Sequence, residues 1–394
     1  MVPELRRAFN RDFTEAKYCR LQQRLVEACR SPVDFRISET PCFITPEMFR
    51  RFSSAGAEMV QQLVGDPDYR RASNQTVPDE WNVAGEDEHP LFVQVDFGLV
   101  RRAQGGLEPR LVELQAFPSL YAYQPVLARL FREAYELPSE LGVFPEGLTA
   151  ESYAALLRRA IVGQCNAENV VLLEIDPWNQ KTRCDFALTA EMLGIAVVDV
   201  RSVVKQQSRL YYRSNGRLVP IERIYNRAIV DELVRRKVAL PFDYRDELQV
   251  TWAGHPNWYF RISKFSLPYL RHAYVPRTWF LDDLEHLPVH RENYVLKPLY
   301  SFAGAGIVFA PSDAQIAAIE PCQRHNFILQ ERVSFARTVE TPFGDTQAEF
   351  RIMYIWLEQL MPVMTLVRMG RGKMMGVDHN KDLRWVGSSA CLMA

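Results

Sequence analysis

The sequence predicts an α/β (α+β) protein in which a parallel sheet and a larger antiparallel one come from different stretches of the chain. Residues 169–200 read strand–helix–strand, with short apolar strands on either side of a helical segment; this is a βαβ unit, and it requires parallel pairing. From Ile262 onward short strands separated by turns dominate, the texture of an antiparallel sheet. The first 90 residues carry helical periodicity instead.

In chain order, residues 12–30 predict an amphipathic helix, because Phe13, Ala16, Tyr18, Leu21, Leu25 and Ala28 recur at helical spacing. A second helix is expected at 46–64. Residues 67–87 are polar and turn-rich and read as a surface loop. Alternating strands follow at 91–100 and 110–117, joined as a hairpin through Gln104-Gly105-Gly106. Helices are predicted at 123–135, 150–162 and 182–193, with strands at 170–175 and 195–200. Asn215-Gly216 marks a tight hairpin turn between 209–213 and 217–220, and 224–227 forms a further short strand. The expected domains are a mainly helical region (1–90), the hairpin with its helices (91–150), an α/β domain (151–260) and an antiparallel domain (261–394).

Composition narrows the partners. The chain has 394 residues, 47% hydrophobic and 24% charged, with a net charge of −1. That balance gives no bulk attraction to nucleic acid or anionic membrane. The seven cysteines are scattered and form no Cys-x-x-Cys pair, so neither a disulfide framework nor a zinc site is signalled. Reduced thiols, a charged N-terminus and the lack of a long apolar run make a cytoplasmic protein the expectation.

The chemistry concentrates in two places. The first is Tyr294-Val295-Leu296-Lys297-Pro298, a strand ending in a lysine, then the small-residue loop 301–306, the apolar strand 307–310 and the strand 327–333. A strand lysine neutralises phosphate charge. Gly304 and Gly306 let backbone amides approach phosphate oxygens, since no Cβ holds the chain away. The Gln330-Glu331-x-Val333 edge can offer its backbone to an adenine. Other nucleotide folds fit less well: the chain has neither a Gly-x-x-x-x-Gly-Lys-Ser/Thr loop nor a dinucleotide fingerprint, and the glycine loop follows the lysine instead of preceding it as in protein kinases. The second place is the 91–117 hairpin. Alternation puts Glu113 and Gln115 on one face with Leu111 and Phe117, and antiparallel pairing lets Asp96 join them. Two carboxylates and an amide oxygen suit Mg²⁺; a half-solvated hairpin with a polar outer face is the other reading. A nucleophile elbow is lacking.

Taken in order, these segments resemble the ATP-grasp superfamily. Asp96-Phe97 followed by Val112-Glu113-Leu114-Gln115-Ala116-Phe117-Pro118-Ser119 is similar to the Asp-Phe and Glu-x-Asn-x-x-x-Pro metal motifs of glutathionylspermidine synthases and circularly permuted ATP-grasp ligases, with Gln115 in place of the usual Asn. Glu222-Arg223-Ile224-Tyr225-Asn226-Arg227 resembles their Ile-Asp-x-Ile-Tyr-x-Arg strand, and Ser263-Lys264 their Ser-Lys helix start. Val295-Leu296-Lys297-Pro298 and Leu329-Gln330-Glu331 complete the order. The first 90 residues match nothing in that pattern, and an amidase domain is not visible.

The resemblance implies an ATP-grasp fold with an antiparallel nucleotide-binding sheet, a pre-ATP-grasp βαβ domain at 151–260, and a 91–150 segment that completes the ATP-grasp unit. It implies ATP held by Lys264, Lys297, Ser301, Ala303, Gly304, Gly306, Gln330, Glu331 and Val333. Mg²⁺ would sit on Asp96, Glu113 and Gln115, with Glu349 and Asn380 as the secondary set, and Arg351 and Arg368 would serve as catalytic phosphate binders. The implied activity is an ATP-dependent carboxylate–amine ligase that forms an amide or peptide bond through an acyl phosphate and releases ADP and phosphate. A kinase-type phosphotransferase and a non-catalytic nucleotide-binding scaffold are the alternatives. The expected partners are a small-molecule carboxylate and amine, with no membrane and no nucleic acid, although a tRNA-borne substrate and the oligomeric state stay open.

Overall fold

A computed structural model describes residues 1–300 and 305–394. Its large sheet runs in the order Cys42–Ile44, Gly387–Met393, Leu360–Gly370, Thr346–Trp356, Phe92–Arg101, Leu107–Gln115, and Arg337–Val339 also pairs with Thr346–Trp356. All its pairings are antiparallel except that of Cys42–Ile44 with Gly387–Met393. The hairpin that precedes residue 120 thus lies in the same sheet as strands formed after residue 345.

Alternation gives the two faces of this sheet different work. Val93, Val95, Phe97, Phe350 and Ile352 pack with Phe49, Phe52, Met59 and Leu63 of the Pro46–Gly65 helix. The opposite face is split. Phe92, Met353, Ile355 and Met364 pack on the parallel-sheet region, while Asp96, Glu113, Glu349, Arg351 and Arg368 present the polar part.

The parallel sheet has the order Thr251–Ala253, Arg223–Asn226, Val170–Glu174, Ala196–Asp199. The Arg183–Leu193 helix makes the crossover between the last two strands. A four-stranded antiparallel sheet, Thr278–Phe280, Phe327–Glu331, Tyr294–Pro298 and Val308–Phe309, stands beside the large one, and Val204–Gln206, Arg209–Ser214 and Arg217–Ile221 form a small meander. No helix among the described residues is long and apolar enough to cross a membrane, and the seven cysteines are free thiols.

Several sequence expectations need correction. The helix expected at 12–30 forms over Glu15–Cys29, where Thr14 caps it by accepting from the Lys17 amide at 3.3 Å, and a further helix, Pro3–Asp12, precedes it. The loop expected at 67–87 begins with a helix, Pro67–Asn74, capped by Asp66 with Pro67 in its first turn. That helix buries Tyr69, whose hydroxyl lies 2.7 Å from Ser266 Oγ. The rest of the stretch is pinned as well: the Asn257 side chain bonds Val83 N and O at 3.0 and 3.1 Å. The Cys42–Ile44 strand, three residues long, gave no periodic signal. In the hairpin, the register shifts between Asp96 and Phe97, so Phe97 pairs with Leu111 and Val112 is the extra residue. This bulge turns Leu111, expected on the Glu113 face, into the core beside Leu114.

Candidate functional site

A cleft of about 460 Å³ opens between the polar part of the large sheet, the small antiparallel sheet and the carboxyl ends of the parallel strands. Its large-sheet wall is set by register. Asp96 stands opposite both Glu113 and Arg351, and Glu349 opposite Arg368. Asp96 is 1% exposed. Its oxygens accept Nε and Nη2 of Arg351 at 2.7 and 2.6 Å, and Oδ2 also accepts Nη2 of Arg368 at 2.6 Å. Arg368 donates to Glu349 as well. Burial pushes the Asp96 carboxyl up, but the two guanidiniums outweigh it and hold the group below its ordinary range. Burial raises the Glu349 carboxyl. Burial also works against charge on Arg368, and Glu349 and Asp96 more than offset that.

The cations opposite come from other elements. Lys264 opens the Lys264–Tyr269 3₁₀ turn, whose first residues are capped by Ser263. Its Nζ lies 3.3 Å from Glu113 Oε1. Lys297, 8% exposed, donates to Gln330 Oε1 at 2.7 Å and to the Val112 carbonyl at 3.2 Å. Burial pulls Lys297 down to about 8, with Glu113 acting in the opposite sense. Gln330 Nε2 is buried without a partner among the described residues. Glu331 and Val333 line the cleft, and Glu331 Oε2 accepts the Arg277 amide at 3.1 Å. Gly306 is exposed, with φ 72° and with no more than 3.0 Å between a would-be Cβ and Pro298 Cγ. Ser301, Ala303 and Gly304 lie outside the described residues.

The expected metal set is brought together only in part. Asp96, expected as a cation ligand, does not line the cleft here; its oxygens are taken up by guanidinium N–H groups of Arg351 and Arg368. Asn380 does not line the cleft either. Its Nδ2 donates to the Met374 and Gly376 carbonyls at 2.9 and 3.2 Å and its Oδ1 accepts the Arg371 amide at 3.1 Å, so it braces the loop that brings Lys373 and Met374 to the cleft. Glu349 faces the cleft but is tied to Arg368. Glu113 and Gln115 remain, two residues apart on the cleft side, Glu113 with its Oε1 shared with Lys264 Nζ and its other oxygen available. Gln115 spends Nε2 on Gln94 Oε1 at 2.7 Å, which leaves its amide oxygen as the coordinating end. Among the described residues no cluster of three or more His, Cys, Asp or Glu is arranged for a metal. Two oxygens still fit Mg²⁺ arriving with a nucleotide, because that ion takes phosphate oxygens and water for most of its shell.

The third wall was not anticipated from the sequence. Glu174, Gln180, Thr182, Arg227 and Glu232 line it, from the ends of the parallel strands and the segments that follow. The available signal was positional: ligands of open α/β sheets collect at the carboxyl ends of parallel strands, and Arg227 directly follows the 223–226 strand.

No protein-family model and no curated protein matches the chain. Among solved structures it is similar to a glutathione synthetase-like effector (GSS30) from Globodera pallida in its apo form. The TM-score is 0.58 at 10% identity, over 98% of this chain and 99% of that one. The fold is therefore a mixed α/β fold similar to that of a glutathione synthetase-like protein.

Proposed function

We propose that this chain is an ATP-grasp enzyme, an ATP-dependent carboxylate–amine ligase. The observation that carries the reading is the meeting of Lys264 and Lys297, from separate elements, with Glu113 and Gln115 of the hairpin and Arg368 of the large sheet in one cleft. Lys264 and Lys297 would take the phosphates, and the Gln330–Val333 edge the base. Mg²⁺ on Glu113 and Gln115 would neutralise phosphate charge that the side chains alone leave uncompensated. A substrate carboxylate takes the γ-phosphoryl group, ADP departs, and an amine displaces phosphate from the acyl phosphate to leave an amide. Arg351 and Arg368, held rigid by Asp96, supply fixed positive charge to the transferring phosphoryl oxygens at no reorganisation cost. The substrates would be small carboxylates and amines, and the cytoplasm the site of action.

An ADP-release screen with pooled amino acids, polyamines and short peptides tests the proposal. ADP release that requires both a carboxylate and an amine is expected. A stable phosphorylated product formed without any amine would make the protein a kinase-type enzyme. No turnover with any pool, despite nucleotide binding, would make it a scaffold.

A further inference from the structure

The parallel-sheet wall holds a buried cation that the reaction above does not use. Arg227 is 3% exposed and lines the cleft, and its Nε and Nη1 have no hydrogen-bond partner among the described residues. The guanidinium is fixed between the Phe117 and Phe186 rings, 4.7 and 5.5 Å from their centroids. The nearest carboxyl groups are engaged elsewhere. Asp185 accepts the backbone amides of Leu120, Ala122 and Tyr123, each at 3.0 Å. Glu174 Oε1 accepts the Ile175 amide at 2.7 Å. Burial also pushes the Glu174 carboxyl up to about 8, so at neutral pH it is largely uncharged and competes little for the arginine.

The position has a topological reason. From Val170–Glu174 the chain crosses to Ala196–Asp199 on one side, whereas Arg223–Asn226 pairs on the other. The carboxyl ends of Val170–Glu174 and Arg223–Asn226 therefore flank the point where the strand order reverses, which is where open α/β sheets place ligands. A buried guanidinium at such a point, with N–H groups that no described residue accepts, matches a carboxylate.

Resting on the ligase reading, we infer that Arg227 anchors a substrate carboxylate that the reaction does not consume, so that one substrate is an amino acid or peptide with a free carboxylate besides its reacting group. The anchored group is not the reacting one for a physical reason. A reacting carboxylate ends as a neutral amide, which would leave this clamped cation without a counter-charge inside the cleft. Gln180 and Glu232 extend the same wall: Glu232 Oε1 already accepts Arg236 Nη1 at 2.9 Å and Gln180 Nε2 at 3.3 Å, which leaves Gln180 Oε1 and Glu232 Oε2 to meet the ammonium end of such a molecule.

The test compares pools of free-acid amino acids and dipeptides with the same pools as C-terminal carboxamides. ADP release and, separately, the thermal shift without nucleotide are read on the wild-type protein. Free acids should shift Tm and turn over; the carboxamides should lose the shift and raise KM roughly ten- to hundredfold, as loss of a charge-assisted bond does. Arg227→Gln should reproduce that loss mainly in KM, and Arg227→Lys should recover part of it. Acids and amides that behave alike, or an Arg227→Gln enzyme with unchanged KM, would overturn the inference while leaving the ligase standing. An acid-specific Tm shift with no ADP release would sink the ligase and keep the anchor; neither signal would sink both. If Arg227→Gln does not fold, the acid–amide comparison on the wild type decides alone.

Discussion

On the large-sheet wall of the cleft, Asp96 and Glu349 pair with Arg351 and Arg368 and leave only Arg368 Nε without a partner among the described residues; on the parallel-sheet wall, Arg227 finds no carboxylate partner among the described residues and keeps two nitrogens idle. The contrast follows from how each wall is built. Antiparallel register sets residues directly opposite on one face, so charges 19, 255 and 272 residues apart in sequence meet side by side and wire a network. Strand ends of a parallel sheet project past the last backbone pair, where the neighbouring side chains belong to loops and a charge is left for something else to meet. The first wall presents arginines that carboxylates hold in place, and the second a cation with no carboxylate of its own among the described residues.

Removing Asp96 should break the first wall hardest. Asp96→Ala leaves two partly buried guanidiniums side by side without the carboxylate they share, and breaking a buried pair costs up to about 3–5 kcal/mol, read as a lower urea midpoint. A stable Asp96→Ala protein that lost only its Mg²⁺ dependence would return Asp96 to the metal. Glu113→Ala should instead fold normally and lose turnover, since Glu113 faces the cleft.

Lys264→Ala and Lys297→Ala should each weaken nucleotide binding by about 1.5–3 kcal/mol, measured by calorimetry with a non-hydrolysable analogue. Unchanged affinity in both would remove the nucleotide site. Lys297 also predicts a pH signature. Its pKa is pulled by burial from 10.5 to about 8, so it loses charge as pH rises through about 8. Nucleotide affinity should then fall above pH 8, with proton uptake on binding near that pH. Unfolding stability should move the other way between 8 and 10.5, because the cost of burying the cation disappears as the folded group deprotonates first. Parallel trends in the two curves would place the titration elsewhere.

The smallest effect on stability is expected at Arg227. Arg227→Met removes an unpartnered buried charge and keeps most of its volume between Phe117 and Phe186, so Tm should be unchanged or higher, whereas the same change at Arg351 should lower it. A large loss of stability for Arg227→Met would mean that the second wall is structural like the first.

Much of this arrangement was legible in the chain. The Gln104-Gly105-Gly106 turn and the alternation on either side placed Asp96, Glu113 and Gln115 on one face, and the strand lysine Lys297 announced the cation side. What was not legible depended on distant partners. Alternation cannot say that Arg351, 255 residues on, pairs with Asp96. The bulge at Val112 shows only in which of its neighbours the core accepts. Pro67–Asn74 reads as loop because just Tyr69 and Ser73 are buried, too few to set a period, although its Asp66-Pro67 start was a visible cap. Arg227 stood at a strand end in plain view, but its burial comes from Phe117 and Phe186, which no local pattern brings there.

The central claim is that the hairpin, the two lysines and the large-sheet arginines form one nucleotide site. A crystal structure with Mg²⁺ and a non-hydrolysable ATP analogue tests it most directly. The account predicts the triphosphate between Lys264 and Lys297, the cation within about 2.1 Å of oxygens of Glu113 and Gln115, and Asp96 still clasped by Arg351. A cation held by Glu349 or Asn380 with Glu113 turned away, or an analogue bound outside this cleft, would contradict it.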